Sequence, residues 1–214
     1  MKTSLFTILI GILSIGSVNA SNDSNYLKND NTSAKCFDEN TRILNVGVGV
    51  GGIRHYRIAG GRYRETPAFS ISYEQPWKQR LGPGYIGVGG YLGFQSANYR
   101  NTYRAPHDFN DYYYEHHWNN ILVAGRAAYH WDVLNKERAE VYGGIIIGAR
   151  IQLYRYDTND PKPEQSNYKL KDGVAYPTYS LFAGARWYFA KKVGVFAEAG
   201  YGISYLTAGL TFKI

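Results

Sequence analysis

The sequence predicts an all-β chain, folded as an eight-stranded antiparallel up-and-down transmembrane β-barrel, and three observations support this prediction. The 214 residues include 24 Gly and 21 Tyr but only one Met, whereas Gly normally makes up about 7% of a protein. Eight segments alternate apolar residues with small or polar ones. After the first twenty residues, no apolar run approaches the length of about 20 residues that a membrane helix needs. Strict alternation is typical of strands that have two different faces.

The first twenty residues have the composition of an export signal. Lys2 supplies a positive charge, an apolar stretch covers 5–18, and the small residue Ala20 stands before Ser21. The apolar stretch is too short for a transmembrane helix and fits the apolar region of a signal peptide. We therefore expect residues 1–20 to be removed on export. Because no Cys follows the cut site, a lipoprotein anchor is not expected.

The next segment, 21–41, is rich in Asn, Asp and Ser and has few apolar residues. Such a composition cannot bury enough apolar surface to fold alone, so we predict a flexible periplasmic N-terminal segment. Cys36 lies within it and is the only cysteine of the chain. One cysteine excludes an internal disulfide and a thiolate-rich metal site. Cys36 is expected to be a free thiol, with an intermolecular disulfide as the alternative.

The barrel itself is predicted over residues 42–214. The last strand shows the alternation most clearly, since Leu210, Phe212 and Ile214 share one face while Thr211 and Lys213 share the other. The eight alternating segments are 44–51, 69–74, 84–96, 119–131, 141–154, 178–190, 193–200 and 206–214. The links predicted as long outer loops are 53–67, 97–116 and 156–177, and the shorter inner links are 75–83, 134–139 and 190–192.

The second face of these strands carries Gly, Tyr and a few Arg and Glu, with hardly any Lys. Small residues and pairable charges suit the crowded interior of a narrow barrel. A soluble lipocalin-like carrier would need its apolar face inside, and the charged residues argue against that alternative. Aromatic residues near the strand ends predict the two interfacial girdles. These residues are Tyr73, Trp77, Trp118, Tyr129, Trp131, Trp187, Phe189 and Phe212.

With its signal peptide, its eight alternating segments and its terminal strand, the chain resembles the small bacterial outer-membrane barrels of the OmpA/OmpX type. The resemblance covers 42–214 as a pattern. In that class, alternating apolar residues and an aromatic residue near the end of the last strand are recognised by the barrel-assembly machinery. The resemblance therefore implies that Leu210, Phe212 and Ile214 form an assembly signal.

Six charged residues fall on the face predicted to line the lumen. They are Glu74, Arg126, Arg150, Arg186, Glu198 and Lys213. Charges in a narrow interior of low dielectric must pair, because an unpaired one is costly. We expect a network of ion pairs in which Glu198 is an acidic partner of the arginines. Such a network either fills the barrel or forms a constriction for small solutes.

The predicted outer loops are rich in Tyr and Arg, the residue types that are enriched at binding hot spots. The residues expected to contact a ligand are Arg54, Arg57, Arg62, Arg64, Tyr99, Arg100, Tyr103, Arg104, Tyr112, Tyr113 and Tyr114. Guanidinium groups bind phosphate and carboxylate groups in a bidentate manner. Lipopolysaccharide, a glycan or an extracellular protein are the candidate ligands. The alternative is a solvated loop whose tyrosines pack on the barrel rim.

Other chemistry finds little support. The glycines at 47–52 match a dinucleotide-binding spacing, but no helix start follows them. Acidic and histidine residues of the second predicted loop have no diagnostic metal-ligand spacing. These residues are His107, Asp108, Asp111, Glu115, His116 and His117. The sequence contains no credible catalytic triad. We expect no enzyme activity, no cofactor and no metal.

Taken together, the sequence predicts a bacterial outer-membrane protein with a structural or surface-interaction role through its Tyr/Arg-rich loops. The alternative is a narrow pore for ions or small solutes, gated by the luminal Arg/Glu network. Expected partners are outer-membrane lipid, lipopolysaccharide and the barrel-assembly machinery. We expect the formal net charge of +7 to favour contacts with anionic surface lipid or glycan rather than with nucleic acid, because the chain is predicted to be exported.

Overall fold

The computed structural model describes six stretches of the chain. They are 36–52, 61–77, 80–104, 110–131, 138–161 and 173–214. The predicted signal peptide, 1–20, and residues 21–35 lie outside the described residues. Within the described stretches, no helix has the length and apolar character needed to cross a membrane.

Nine β-strands make up the described part of the chain. They are β1 (Ile43–Val50), β2 (Arg62–Glu65), β3 (Ala68–Pro76), β4 (Gly84–Arg104), β5 (Asp111–Trp131), β6 (Ala139–Thr158), β7 (Val174–Tyr188), β8 (Val193–Gly200) and β9 (Leu206–Lys213). All pairings are antiparallel, and eight strands close into a ring through the pairings of β1 with β9 and of β4 with β5. The short β2 precedes β3 in the chain and pairs with the upper part of β4. The predicted eight-stranded up-and-down barrel is confirmed.

The barrel has apolar side chains outside and polar side chains inside. In β1, the outward residues Val46 and Val48 are 44% and 48% exposed, whereas Asn45 on the inward face is 1% exposed. The buried polar residues of the strands include Asn45, Ser70, Ser72, Glu74, Gln95, Asn120, Arg126, His130, Glu140, Ser180, Arg186 and Thr211. This is the reverse of a soluble carrier and is the polarity of a transmembrane barrel, whose closed ring leaves no unpaired sheet edge in lipid.

The wall of the barrel is uneven in height. Strands β1, β8 and β9 have 8 residues each, while β4 and β5 have 21 each and β6 has 20. On the low side, Tyr201 and Tyr205 stand exposed at the top of the wall with their rings edge to face at 5.8 Å. On the high side, outward apolar residues end near Phe94 on β4, and the strands continue beyond this level. We call residues 97–104, 111–118 and 153–158, together with β2, the extension.

The prediction of a loop over 97–116 is wrong for most of its residues. Most of that segment belongs to β4 and β5, which pair in register from Ala97 with Trp118 to Arg104 with Asp111. The same holds in part for the predicted loops 53–67 and 156–177, which contribute residues to β2, β6 and β7. Alternation of apolar residues did not find these strand ends, because both faces of the extension carry polar or aromatic side chains.

The lower aromatic girdle is present, and one predicted member of the girdles is wrong. Trp131 and Trp187 are 41% and 53% exposed, and the ring of Tyr129 meets that of Trp131 edge to face at 5.1 Å. Trp118, in contrast, is 4% exposed. It shares the inward face of β5 with Arg126, since the two are eight positions apart in one strand, so it packs inside the extension rather than against lipid.

The end of the predicted flexible segment is ordered. Cys36 and Phe37 are each 4% exposed, and a turn follows in which the Thr41 hydroxyl donates to Asp38 Oδ1 at 2.6 Å. The backbone N–H of Thr41 also donates to the carbonyl of Asp38 at 3.2 Å. The structured part therefore begins at least six residues before the predicted boundary at 42. Hydrophobic burial of Phe37, discussed below, is the physical reason.

Replacing Ile147 with Arg tests the lipid-facing surface. Ile147 lies in the middle of the outward apolar row of β6 and is 58% exposed, so Ile147→Arg should lower the free energy of unfolding in a bilayer by about 2–4 kcal/mol. Urea titration of the barrel in lipid vesicles measures this value. The control is Thr102→Arg at an exposed position of the extension, where the change should be near zero. Equal effects at both positions would contradict the assignment.

Candidate functional site

The centre of the lumen is the carboxylate of Glu74, which projects inward from β3. Its Oε1 accepts from Arg126 Nε at 2.9 Å and from Arg186 Nη2 at 2.7 Å. The two arginines come from β5 and β7, so a single carboxylate ties three separate strands across the barrel. The side chains of all three residues are fully buried. Burying charges is tolerated only when they are paired and hydrogen-bonded, and this condition is met here.

Glu198 on β8 binds the side of the Arg126 guanidinium that does not contact Glu74. The guanidinium donates from Nη1 to Oε2 at 3.0 Å and from Nη2 to Oε1 at 2.5 Å, which is the bidentate arrangement that Arg and carboxylate prefer. The Tyr142 hydroxyl donates to Glu198 at 2.8 Å. The Arg126 guanidinium also lies 3.8 Å from the centre of the Phe182 ring. Arg126 is therefore hydrogen-bonded to carboxylates along two edges and packed against an aromatic ring on one face.

Two members of this network were not among the residues predicted from sequence. Glu140 on β6 accepts from Arg186 Nη1 at 2.6 Å. His130 on β5 lies between two carboxylates, with Nε2 3.0 Å from Glu74 Oε2 and Nδ1 3.4 Å from Glu140 Oε2. Parity along the strands was the signal that could have found both, since His130 shares the inward face with Arg126 and Glu140 shares it with Tyr142.

Two predicted members lie outside this network. Arg150 donates from Nη2 to the carbonyl of Gly202 at 3.4 Å, near the upper end of the barrel. Lys213, near the lower end, places its Nζ 4.4 Å from the centre of the Tyr188 ring. Both positions have the inward parity that the sequence predicted, but they lie at other heights of the lumen than Glu74. Of the six predicted residues, the structure brings together Glu74, Arg126, Arg186 and Glu198.

The network fills the middle of the lumen. Three carboxylates face two guanidinium groups and one imidazole, so the formal charges balance when His130 carries a proton. The interior of a barrel with eight strands is just wide enough for side chains to fill it. No group of three metal-ligating side chains occurs in the part of the chain that the structure describes. The geometry is that of a packed ionic core that ties the walls of the barrel together.

The predicted Tyr/Arg surface is divided between the two faces of the extension. Arg62 and Arg64 on β2 and Arg100 on β4 face outward, and Arg62 lies directly opposite Arg100 in the strand register. Arg100 also lies 4.2 Å from the centre of the outward Tyr113 ring. Among the described residues, neither Arg62 nor Arg64 has an ion-pair partner. Near the tip, Arg104 pairs with Asp111 at 2.9 Å.

Most of the predicted tyrosines face inward, which corrects the expectation of one shared surface. Tyr99 is 1% exposed and packs against Tyr114 at a ring distance of 6.2 Å. His116 stacks on Trp118 at 5.5 Å, and its Nδ1 lies 2.7 Å from the Tyr154 hydroxyl. Burial lowers the pKa of His116, and the adjacent His117 lowers it further, which favours the neutral ring. These side chains form the core of the extension.

The remaining predicted residues are placed as follows. Tyr103 contacts Tyr112 at a ring distance of 5.9 Å, and its hydroxyl donates to Asp160, which attaches the start of the following link to the tip of the extension. Arg54 and Arg57 lie outside the described residues. The proposed assembly signal lies at the end of the chain, with Leu210 outward on β9 and 46% exposed and Ile214 just beyond the strand. Phe212 is half-buried on the same face.

Removing the carboxylate of Glu74 tests its central role. Glu74→Ala leaves Arg126 and Arg186 buried without their shared partner, and the loss of one member of a buried pair typically costs about 3–5 kcal/mol. Reversible urea unfolding in detergent or lipid measures the change. Glu39→Ala, at an exposed position of the N-terminal turn, is the control and should change the free energy little. A loss below about 1 kcal/mol for Glu74→Ala would contradict the role assigned to it.

No family model and no curated protein matches the chain. Among solved structures, the chain is similar to Ail, the attachment invasion locus protein of Yersinia pestis, in complex with the heparin analogue sucrose octasulfate, at 11% identity and a TM-score of 0.34, with 81% of this chain and 93% of that chain covered. A second Ail structure matches at 10% identity and a TM-score of 0.35, with the same coverage. The predicted resemblance to small outer-membrane barrels is confirmed for the fold, which rests on the strand pairings described above.

Proposed function

We propose that this chain is a bacterial outer-membrane protein, exported by the signal at 1–20, that acts at the cell surface through its extension. The observation that carries the proposal is the uneven wall, in which β4, β5 and β6 continue well past the apolar belt. A purely structural barrel has no need of strands that rise so far out of the membrane. The apolar outer surface, the closed ring and the aromatic girdle support the location in a bilayer.

The orientation follows from the connections. The links 77–83, 132–138 and 189–192 have seven, seven and four residues, whereas the strand ends on the side of the extension are joined by the longer links 51–61 and 159–173, with 11 and 15 residues. The link 105–110 has six residues and joins the extended ends of β4 and β5. Outer-membrane barrels have short periplasmic turns and longer extracellular loops. The extension therefore points away from the cell, and both chain ends of the barrel lie on the periplasmic side. Recognition of the last strand by the barrel-assembly machinery fits this placement.

The outward face of the extension is suited to anionic groups. Like charges directly opposite each other in a sheet are destabilising. Arg100 has Glu115 on its other side, at 3.9 Å, whereas Arg62 has no ion-pair partner among the described residues, so an anion beside Arg62 would relieve the repulsion between the two arginines. Arg100 is six residues above Phe94 on β4, or about 20 Å along the strand at about 3.3 Å per residue. Because the strands of such barrels are tilted by about 35–45°, this length corresponds to about 15 Å along the membrane normal, and we propose that it brings Arg100 to the level of the phosphates and acidic sugars of lipopolysaccharide. A glycan or protein from outside the cell would reach the same face.

A narrow pore remains the second candidate, and the charged lumen is the observation in its favour. Against it, the carboxylates of Glu74, Glu140 and Glu198 all accept short hydrogen bonds from Arg126 or Arg186, at 2.5–3.0 Å. Side chains paired in this manner fill space and stabilise the wall. The same pairing supports the proposal that the chain is not an enzyme, because these carboxylates are already bound to cations.

Neutralising the outward arginines tests the surface role. Arg62→Gln, Arg64→Gln and Arg100→Gln in one variant should weaken binding of purified lipopolysaccharide to the folded protein in detergent by at least about tenfold, since each charge-assisted contact contributes about 1.5–3 kcal/mol. The salt dependence of binding should also become shallower. Titration calorimetry at two salt concentrations measures both quantities.

The matched control removes three charges from the periplasmic end, with Arg42→Gln, Lys191→Gln and Lys192→Gln. This variant has the same net charge and should bind lipopolysaccharide like the wild type. Equal loss in both triple variants would mean that net charge alone determines binding, which contradicts a site on the extension. Binding of dephosphorylated lipopolysaccharide at full strength would assign recognition to the sugars instead of the phosphates.

A further inference from the structure

The periplasmic mouth of the barrel is occupied by residues that precede the first strand. Phe37 is 4% exposed, and its ring stacks on the imidazole of His130 at 3.8 Å with an angle of 7° between the planes. It also meets the Tyr85 ring edge to face at 6.5 Å. Because His130 belongs to the luminal network, Phe37 covers that network directly from the periplasmic side.

The wall of the barrel leaves room for this ring at Gly87. A Cβ at that position would lie 3.2 Å from Phe37 Cζ and 2.8 Å from His130 Nε2. Both distances are shorter than ordinary van der Waals contact. Gly87 on β4 therefore provides the space in which the phenyl and imidazole rings stack. The site of Phe37 thus depends on a residue of the barrel as well as on the N-terminal segment.

The attachment of Phe37 to the barrel is of a different kind from that of the strands. Residues 36–41 belong to no strand, and the turn formed by Asp38 and Thr41 is closed on itself. The segment is held in the mouth by its side chains, of which Cys36 and Phe37 are buried, and β1 begins two residues after the turn. A segment held by side-chain packing leaves its site without breaking the ladder of the barrel.

We infer that residues 36–41 form a plug whose Phe37 ring closes the periplasmic mouth and controls access of water to the luminal ion-pair network. When the ring leaves, His130 and the carboxylate of Glu74 become accessible to water from the periplasmic side. The barrel then has two closures in series, the plug below and the ionic core above it. The plug involves the lumen alone, so an experiment that contradicts the plug leaves the proposed surface function untouched, and the reverse also holds.

The native thiol of Cys36 reports on the plug. In the folded full-length mature protein, a negatively charged, membrane-impermeant methanethiosulfonate should modify Cys36 at a small fraction of the rate measured after unfolding. Phe37→Ala should raise the rate in the folded barrel at least tenfold. Phe37→Leu, which keeps an apolar side chain of smaller size, should give an intermediate rate and covers the case in which the Ala variant does not fold.

The matched control is Phe69→Ala, which removes the same side chain from the lipid-facing surface, where Phe69 is 52% exposed. Its Cys36 should react as slowly as in the wild type. Rapid modification of Cys36 in the folded wild type would overturn the proposal, because the mouth would then be open. A slow rate retained in both Phe37 variants would overturn it as well, since the thiol would be protected without the ring.

A second reporter measures access to the network itself. Ala128, 2% exposed, lies on the inward face of β5 between Arg126 of the ionic core and His130, on which Phe37 stacks. In a Cys36→Ser, Ala128→Cys background, the new thiol should be protected, and adding Phe37→Ala should make it reactive. Protection that persists without Phe37 would show that other parts of the barrel exclude the reagent, and the plug would then have no role in access.

Discussion

The ionic core around Glu74 is the constraint on which the rest of the structure depends. An eight-stranded barrel in lipid must place polar residues inside, and its interior is too narrow to hydrate charges fully. One carboxylate shared by Arg126 and Arg186 satisfies this requirement and joins three strands. Glu198 then accepts from both Nη atoms of Arg126, and Glu140 accepts from Nη1 of Arg186. The luminal side chains thereby pack against each other, and the proposed function is accordingly placed on the outer surface.

Alternation along the strands determines what that surface can do. The extension continues the pleat of β4 and β5, so adjacent Tyr and Arg residues fall on opposite faces. Tyr99 is buried in the inner aromatic cluster while Arg100 beside it faces outward. In the proposed surface role, recognition by the outward face would therefore depend on guanidinium groups far more than on aromatic stacking. The inner cluster contributes stiffness, because it holds the strands of the extension together above the membrane.

The sequence predicted the barrel and the inward parity of its charges, because one apolar face recurs at every second position. It did not predict the length of β4, since neither face of the extension is apolar there. It missed Glu140, which lies one residue before the predicted segment 141–154, and His130, which has inward parity in the segment 119–131 but is not a permanently charged residue. The position of Phe37 depends on contacts with His130 and Tyr85, both far along the chain, and no local pattern encodes such packing.

The most direct test of a packed ionic core is the conductance of the folded, full-length mature protein in planar bilayers at neutral pH. Insertion is verified independently by protease protection of the reconstituted barrel. Our account predicts a silent bilayer, because paired side chains of the Glu74 network fill the lumen and the plug covers it from below. Discrete conductance steps that recur with each insertion would contradict the account and would establish the chain as a pore.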